Sequence, residues 1–260
     1  MSARGMLSPE RLVEVLGLMK GADTVELKVT VGESQRYGTA RALGIDPLDG
    51  RIRQVFFFDT PDLRLDAAGV VVRARRIQDA AADTVVKLRP VDPADIPKKL
   101  RREPTFGIEV DAMPGGYVCS ASFKGISTNE EVKQAAMGDV PISELFSKGQ
   151  RAFYADHAPD GLGLDDLSIL GPVNLVKLKF RGELGRKIVA ELWMYPDGAR
   201  ILELSTKCAP GEAFQVAAEE RAYLESNGID LTGKQQTKTK AALSYFSREL
   251  QTAAAPPAES

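Results

Sequence analysis

Histidine is almost missing from this 260-residue chain: His157 is the only one. That excludes a zinc site built from histidines and leaves His157 as the sole histidine base for a serine or cysteine triad. It lies between a helical segment and a Pro-Gly-rich loop, where a helix-end role is expected. Cysteine is scarce too. Cys119 and Cys208 are far apart, no CxxC occurs, and two buried thiols in a cytoplasmic protein is the expected reading. No apolar run approaches the roughly 20 residues needed to cross a bilayer, and no basic-then-apolar signal peptide opens the chain, so no membrane partner is expected. Overall positive charge is also lacking. The net charge is −2, so the chain as a whole is not an obvious nucleic-acid binder. The basic stretch Lys98–Glu103 (KKLRRE) reads as a solvated loop.

What is present is enough chain for one large domain or two small ones, with 43% apolar and 27% charged residues. We read one domain over 1–250: two strand-rich halves, about 20–112 and 170–210, joined by a helical segment. A disordered tail is expected over 251–260. Ser8-Pro9-Glu10 is a helix start, and Gly21 ends that helix. Strands are expected at 24–31, 54–58, 70–76, 84–90, 106–112, 175–182, 187–195 and 200–208. Residues 63–68 fit one helical turn. Ser127–Glu131 reads as a capping box, 141–154 as a second helix, and 212–227 and 237–250 as two more.

Alternate residues of a strand share a face. Applied to each strand, this puts charges on one face and aliphatic groups on the other. Val70, Val72 and Ala74 oppose Arg73 and Arg75; Val176, Leu178 and Phe180 oppose Lys177, Lys179 and Arg181. For any one strand, a charged face turned to water is the ordinary explanation, in a two-layer α/β protein. Taken together, the faces carry nine cations (Lys28, Arg73, Arg75, Lys87, Arg89, Lys177, Lys179, Arg181, Lys207) against five acids (Glu26, Glu109, Asp111, Glu191, Glu203). The chain is slightly acidic, so cations are concentrated there. A sheet this long tends to curl or close, and closure with the aliphatic faces outward would leave a charged lumen. Facing cations repel unless a polyanion lies between them. Arg and Lys suit phosphate oxygens, and the carboxylates suit Mg²⁺ or Mn²⁺.

Several stretches resemble the CYTH superfamily of triphosphate tunnel metalloenzymes, which includes class IV adenylyl cyclases, thiamine triphosphatases and inorganic triphosphatases. Thr24-Val25-Glu26-Leu27-Lys28 falls where the family has Glu-x-Glu-x-Lys. The segment 56–76, FFFDTPDLRLDAAGVVVRARR, is the most specific match. VVKLRP, FGIEVD, VKLKFRG, VAELWMYPDGARILELSTK and GKQQTKTKAALSYF follow in the family's order. The resemblance implies an α+β fold: a closed antiparallel β-barrel of about eight strands with flanking helices. It implies phosphate binding by Lys28, Arg73, Arg75, Lys87, Arg89, Lys177, Lys179, Arg181 and Lys238, or Lys240 beside it. Metal would be held by Glu26, Glu109, Asp111 and Glu203, with Glu26, Glu109 and Glu203 serving catalysis. The implied partner is a small polyphosphate or a nucleotide, and the implied reaction is hydrolysis of a terminal phosphate or, less expected, cyclisation of ATP. A homodimer is left open. The chain departs from the pattern at Thr24 and Ser205, which stand where the family has acids. Those departures favour anion binding over metal binding and keep open a binding protein of weak or no activity. Trp193 stands near another acidic position of the family, with Glu191 the nearest candidate.

Overall fold

Strands whose side chains alternate between aliphatic and charged need an apolar cover on one side only. A computed structural model, describing residues 8–183, 185–233, 235 and 237–254, shows that they find it by closing. Nine strands form a closed barrel: β1 (Thr24–Val31), β2 (Arg51–Asp59), β3 (Val70–Ile77), β4 (Ala82–Leu88), β5 (Phe106–Met113), β6 (Gly116–Ser127), β7 (Ser168–Arg181), β8 (Lys187–Met194) and β9 (Arg200–Cys208). The order around the barrel is β1-β5-β6-β4-β3-β2-β7-β8-β9, and β9 pairs back to β1. The α+β closed barrel is as expected, with two refinements. There are nine strands rather than about eight, and β1–β5 is parallel, with Thr24 opposite Glu109. The other pairings are antiparallel.

The extra strand is β6, for which no strand was expected. Its inward residues include Ser120 and Ser122 rather than a charged pair, and its small side chains carry weak strand propensity. Seven α-helices flank the barrel among the described residues: α1 (Pro9–Gly21), α2 (Arg36–Ala42), α3 (Arg64–Ala67), α4 (Asn129–Met137), α5 (Lys148–Ala155), α6 (Ala213–Ser226) and α7 (Lys238–Ala254). The Ser8 and Thr128 caps form as read, the latter with Glu131 in a capping box. The helix expected at 141–154 is broken. A 3₁₀ turn occupies Ile142–Leu145, and Ser147 caps α5 through Gln150. Residues 251–254 extend α7, so the expected disordered tail is corrected there; 255–260 lie outside the described residues.

The outward strand faces pack on the helices. Val70, Val72, Ala74, Val86, Ile108, Val110 and Ala121 join Val132 of α4 and Phe153 of α5 in the main apolar core. A second core lies inside the barrel. Val55, Phe57, Leu175, Trp193 and Ile201 point the same way as the lumen charges and enclose Ala242 and Leu243 of α7. Phe246 and Leu250 pack beside them, and the Ser247 hydroxyl donates to the Pro61 carbonyl at 2.7 Å. α7 therefore closes one end of the lumen. Each large apolar side chain it buries contributes about 1.5–3 kcal/mol, enough to hold a helix of this length in place. The charges occupy the rest of the lumen.

Candidate functional site

Register decides which side chains meet. β1 sits between β5 and β9, with Glu26 opposite both Asp111 and Lys207, and Lys28 opposite Ser205. Glu26, Glu109 and Asp111 converge there, offering carboxylate oxygens that all lie within 4.8 Å of one another. Lys28 Nζ bridges Asp111 at 2.8 Å and Glu26 at 3.0 Å. From β4, Lys87 reaches Asp111 at 3.4 Å, and Arg89, just past its end, reaches it at 3.6 Å. The Asp111 side chain is fully buried. Lys207 pairs with Glu109 and lies 3.9 Å from Glu26.

These contacts set the ionisation. Burial works to raise the Glu26 pKa, but Lys28 and Lys207 outweigh it and hold the group at about 2. Burial likewise opposes Asp111, and Lys28 and Lys87 carry it well below the usual carboxylate range. Glu109 goes the other way, raised by burial and by the Glu26 charge beside it. The Lys28 ammonium is pushed up despite burial, chiefly by Asp111 and Glu26. Burial lowers Lys87 even though Asp111 opposes the shift.

The Thr24 and Ser205 hydroxyls, read from the sequence resemblance as departures from acids, are part of this group. Thr24 Oγ1 donates to Glu109 Oε2 at 3.3 Å, and Ser205 Oγ donates to Glu26 Oε1 at 3.2 Å. They orient two of the three carboxylates rather than adding to them. Three carboxylates and no histidine or thiolate form a hard oxygen donor set, which fits Mg²⁺ or Mn²⁺ by its chemistry.

Glu203 is not part of that trio. It faces Glu191 across β8–β9, and Lys238, at the first turn of α7, lies between them: 2.7 Å from Glu203 and in an ion pair with Glu191. Lys177 completes this second group at 2.7 Å from Glu191. Burial opposes it, but Lys238 and Lys177 hold Glu191 well below its ordinary value. Trp193 donates its indole N–H to Glu191 at 3.2 Å, and the Lys238 ammonium stands 5.1 Å from the indole ring centre. The indole thus packs in the lumen.

A third group lies on β2 and β3. Arg75 Nε donates to Asp83 at 2.8 Å. Arg73 and Arg53 have no carboxylate within ion-pair distance among the described residues, and the buried Nε of each lacks a hydrogen-bond partner. Burial and then the repulsion of Arg75 pull the Arg73 pKa down to about 9. Sequence reading missed Arg53 because the strand was started at Gln54. The alternation of Arg51-Ile52-Arg53-Gln54-Val55 already placed Arg53 with Val55. Asp83 likewise lies one residue before the strand expected from Thr84, inside β4. Lys179 and Arg181 are exposed at the open end, where Arg181 donates to the Gly185 carbonyl at 2.6 Å. Lys240 is exposed on α7. His157 sits at the C-terminal end of α5 against the Phe153 carbonyl, as expected of a helix-end residue.

In all, Lys28, Arg53, Arg73, Arg75, Lys87, Arg89, Lys177, Lys207 and Lys238 face six acids: Glu26, Asp83, Glu109, Asp111, Glu191 and Glu203. The lumen keeps a net positive charge after every acid is paired.

No known family profile matches the sequence, and no curated protein matches it. Solved structures do. HpAC1 from Hippeastrum, an adenylyl cyclase candidate in which a triphosphatase activity is dominant, matches with a TM-score of 0.64 at 16% identity, over 85% of this chain and 95% of its own. An adenylate cyclase candidate from Bacillus halodurans matches with a TM-score of 0.57 at 14% identity, over 84% of this chain and 98% of its own. The likeness is one of fold: a closed barrel flanked by helices.

Proposed function

We propose that this protein binds a triphosphate-containing compound (inorganic polyphosphate, a nucleoside triphosphate or thiamine triphosphate) with a divalent metal in the lumen, and hydrolyses its terminal phosphate. The observation that carries this reading is the unpartnered buried Nε of Arg73 and of Arg53 inside a lumen whose acids are already neutralised. A buried Nε–H without an acceptor is costly, and a half-buried guanidinium draws an anion. Phosphate oxygens supply acceptors in the geometry that arginine prefers. The triphosphatase activity of HpAC1, a protein of the same fold, agrees with this reading.

Mg²⁺ or Mn²⁺ held by Glu26, Glu109 and Asp111 would neutralise phosphate charge and lower the pKa of a bound water. The chain's own part is positional and electrostatic. Arg53, Arg73 and Arg75 hold equatorial phosphate oxygens and stabilise the charge that develops as the terminal phosphate leaves. Lys28, Lys87 and Arg89 keep Asp111 ionised, and Thr24 and Ser205 keep Glu109 and Glu26 oriented. Lys177, Lys179, Arg181 and Lys238 supply further cationic contacts along the lumen and at its mouth. α7 shuts one end, so substrate enters from the other and water is excluded behind it.

The test is phosphate release from tripolyphosphate, ATP and thiamine triphosphate with Mg²⁺ or Mn²⁺, beside Lys28→Ala and Arg73→Ala. No release above buffer from any of them removes the hydrolase reading. A second reading rests on Thr24 and Ser205: a binding protein that holds polyphosphate or nucleotide without turning it over. It predicts a large rise in melting temperature with tripolyphosphate and no phosphate release.

A further inference from the structure

Lys207 is the lumen cation whose position the proposed chemistry leaves unexplained. It stands on β9 with its side chain half exposed, bonded to Glu109 and 3.9 Å from Glu26. Its ammonium therefore occupies the edge of the carboxylate trio that a divalent cation would need. The same side chain lines a cavity of about 580 Å³ at the open end of the barrel, with Arg181, Arg186, Lys187 and Thr206. Arg186 is paired to Glu219 at 2.6 Å, and Arg181 is bonded to the Gly185 carbonyl. Lys187 has no acid within ion-pair distance among the described residues, so this cavity has cationic character to share.

The geometry points to Lys207 as a resident counter-ion: it holds Glu26 and Glu109 until a divalent cation enters, and then turns outward into the mouth cavity to meet the outer part of the anionic substrate. The inference rests on the proposed metal and triphosphate site. Two positive charges cannot share the Glu26–Glu109 edge without strong repulsion. A long lysine stem that is half exposed can leave it at small cost. Lys28 cannot play this part, because it is held deep between Asp111 and Glu26. Occupation by metal and by an outer phosphate thus become coupled, each favouring the other. Lys207 is a positioning residue here; no bond to it forms or breaks.

The experiment is titration calorimetry of the full chain with Mn²⁺, then with tripolyphosphate in the absence and presence of Mn²⁺. Wild type is compared with Lys207→Met, Lys207→Gln and Lys187→Gln. The two Lys207 variants should bind Mn²⁺ more tightly, on the order of 3–10-fold, as expected for removing a partly exposed competing ion pair. In both, Mn²⁺ should tighten tripolyphosphate binding less than it does in wild type. Lys187→Gln should leave Mn²⁺ affinity unchanged and weaken only tripolyphosphate. Unchanged or weaker Mn²⁺ binding by the Lys207 variants overturns the inference while leaving the lumen site standing. A wild type that binds neither Mn²⁺ nor tripolyphosphate overturns the site itself and the inference with it.

Discussion

Replacing Arg73 by methionine should make the ligand-free protein more stable and cut the stability it gains from ligand. Arg73 has a buried Nε with no acceptor, no carboxylate at ion-pair distance among the described residues, and Arg75 beside it. An unsatisfied buried polar group costs about 1–3 kcal/mol. Across the strands Arg73 lies opposite Phe57 and Val85, both apolar, so a methionine side chain would find contacts. Exchanging buried charge for packed apolar volume typically stabilises by about 1–4 kcal/mol. Arg73 retains some solvent contact, so about 1–3 kcal/mol is the better figure. For a domain of this size that is a rise of roughly 3–10 °C in melting temperature. Tripolyphosphate should narrow or close that gap. At 100 times its Kd a ligand adds about 2.7 kcal/mol to wild type. Losing one charge-assisted contact of about 1.5–3 kcal/mol weakens binding by roughly 10–100-fold, which leaves the variant about 0.4–1.4 kcal/mol of that gain. The assay is thermal unfolding of both proteins with and without tripolyphosphate. A variant that melts below wild type in buffer would refute the claim that Arg73 is held against its own cost. An equal ligand shift in both proteins would refute its phosphate role.

Stability should fall as pH drops from about 4.5 toward 2, because Glu26 sits at about 2 in the fold against 4.5 when free. In that window the unfolded chain binds the extra proton, so acid favours unfolding; urea midpoints should show a shallower fall for Glu26→Gln. Lys238→Ala leaves Glu203 and Glu191 facing each other across β8–β9 with only Lys177 near. Melting temperature should drop by roughly 4–8 °C, the size of a loss of about 2 kcal/mol from a broken buried pair that keeps one partner. Ser205→Ala removes the donor to Glu26 and should weaken Mn²⁺ binding about tenfold, measured by calorimetry, if outer hydrogen bonds orient the carboxylates.

The barrel was legible because its alternation is regular. Val70-Val71-Val72-Arg73-Ala74-Arg75 can satisfy both faces only with apolar cover outside and charge inside. The parallel β1–β5 contact was not legible, since period two fixes a face and says nothing of which neighbour a strand takes. β6 escaped because serines, not charges, mark its lumen face. Arg53 and Asp83 each lie one residue before an expected strand start, so the alternation within the expected strands does not reach them. Glu203 is the instructive case among the acids. It shares a lumen face with Ser205 as read, yet strand stagger sets it beside Glu191 and Lys238 rather than with Glu26, Glu109 and Asp111.

Thr24 and Ser205 looked in the sequence like simple losses of metal ligands, and the structure changes what those losses mean. A carboxylate at either place would stand against Glu109 or Glu26, where Glu109 is already raised by its neighbour's charge. A hydroxyl there removes that repulsion and donates a hydrogen bond instead. Fewer acids also leave more of the lumen cations unneutralised, so the balance moves toward anion and away from metal. Under the proposed function the cost is a weaker hold on a divalent cation, at the step that would need one. A protein tuned in this direction should show its anion binding at metal concentrations where its turnover is still low. Measuring tripolyphosphate affinity and phosphate release across one Mn²⁺ titration would separate the two: coincident curves would mean that the hydroxyls had cost the site nothing.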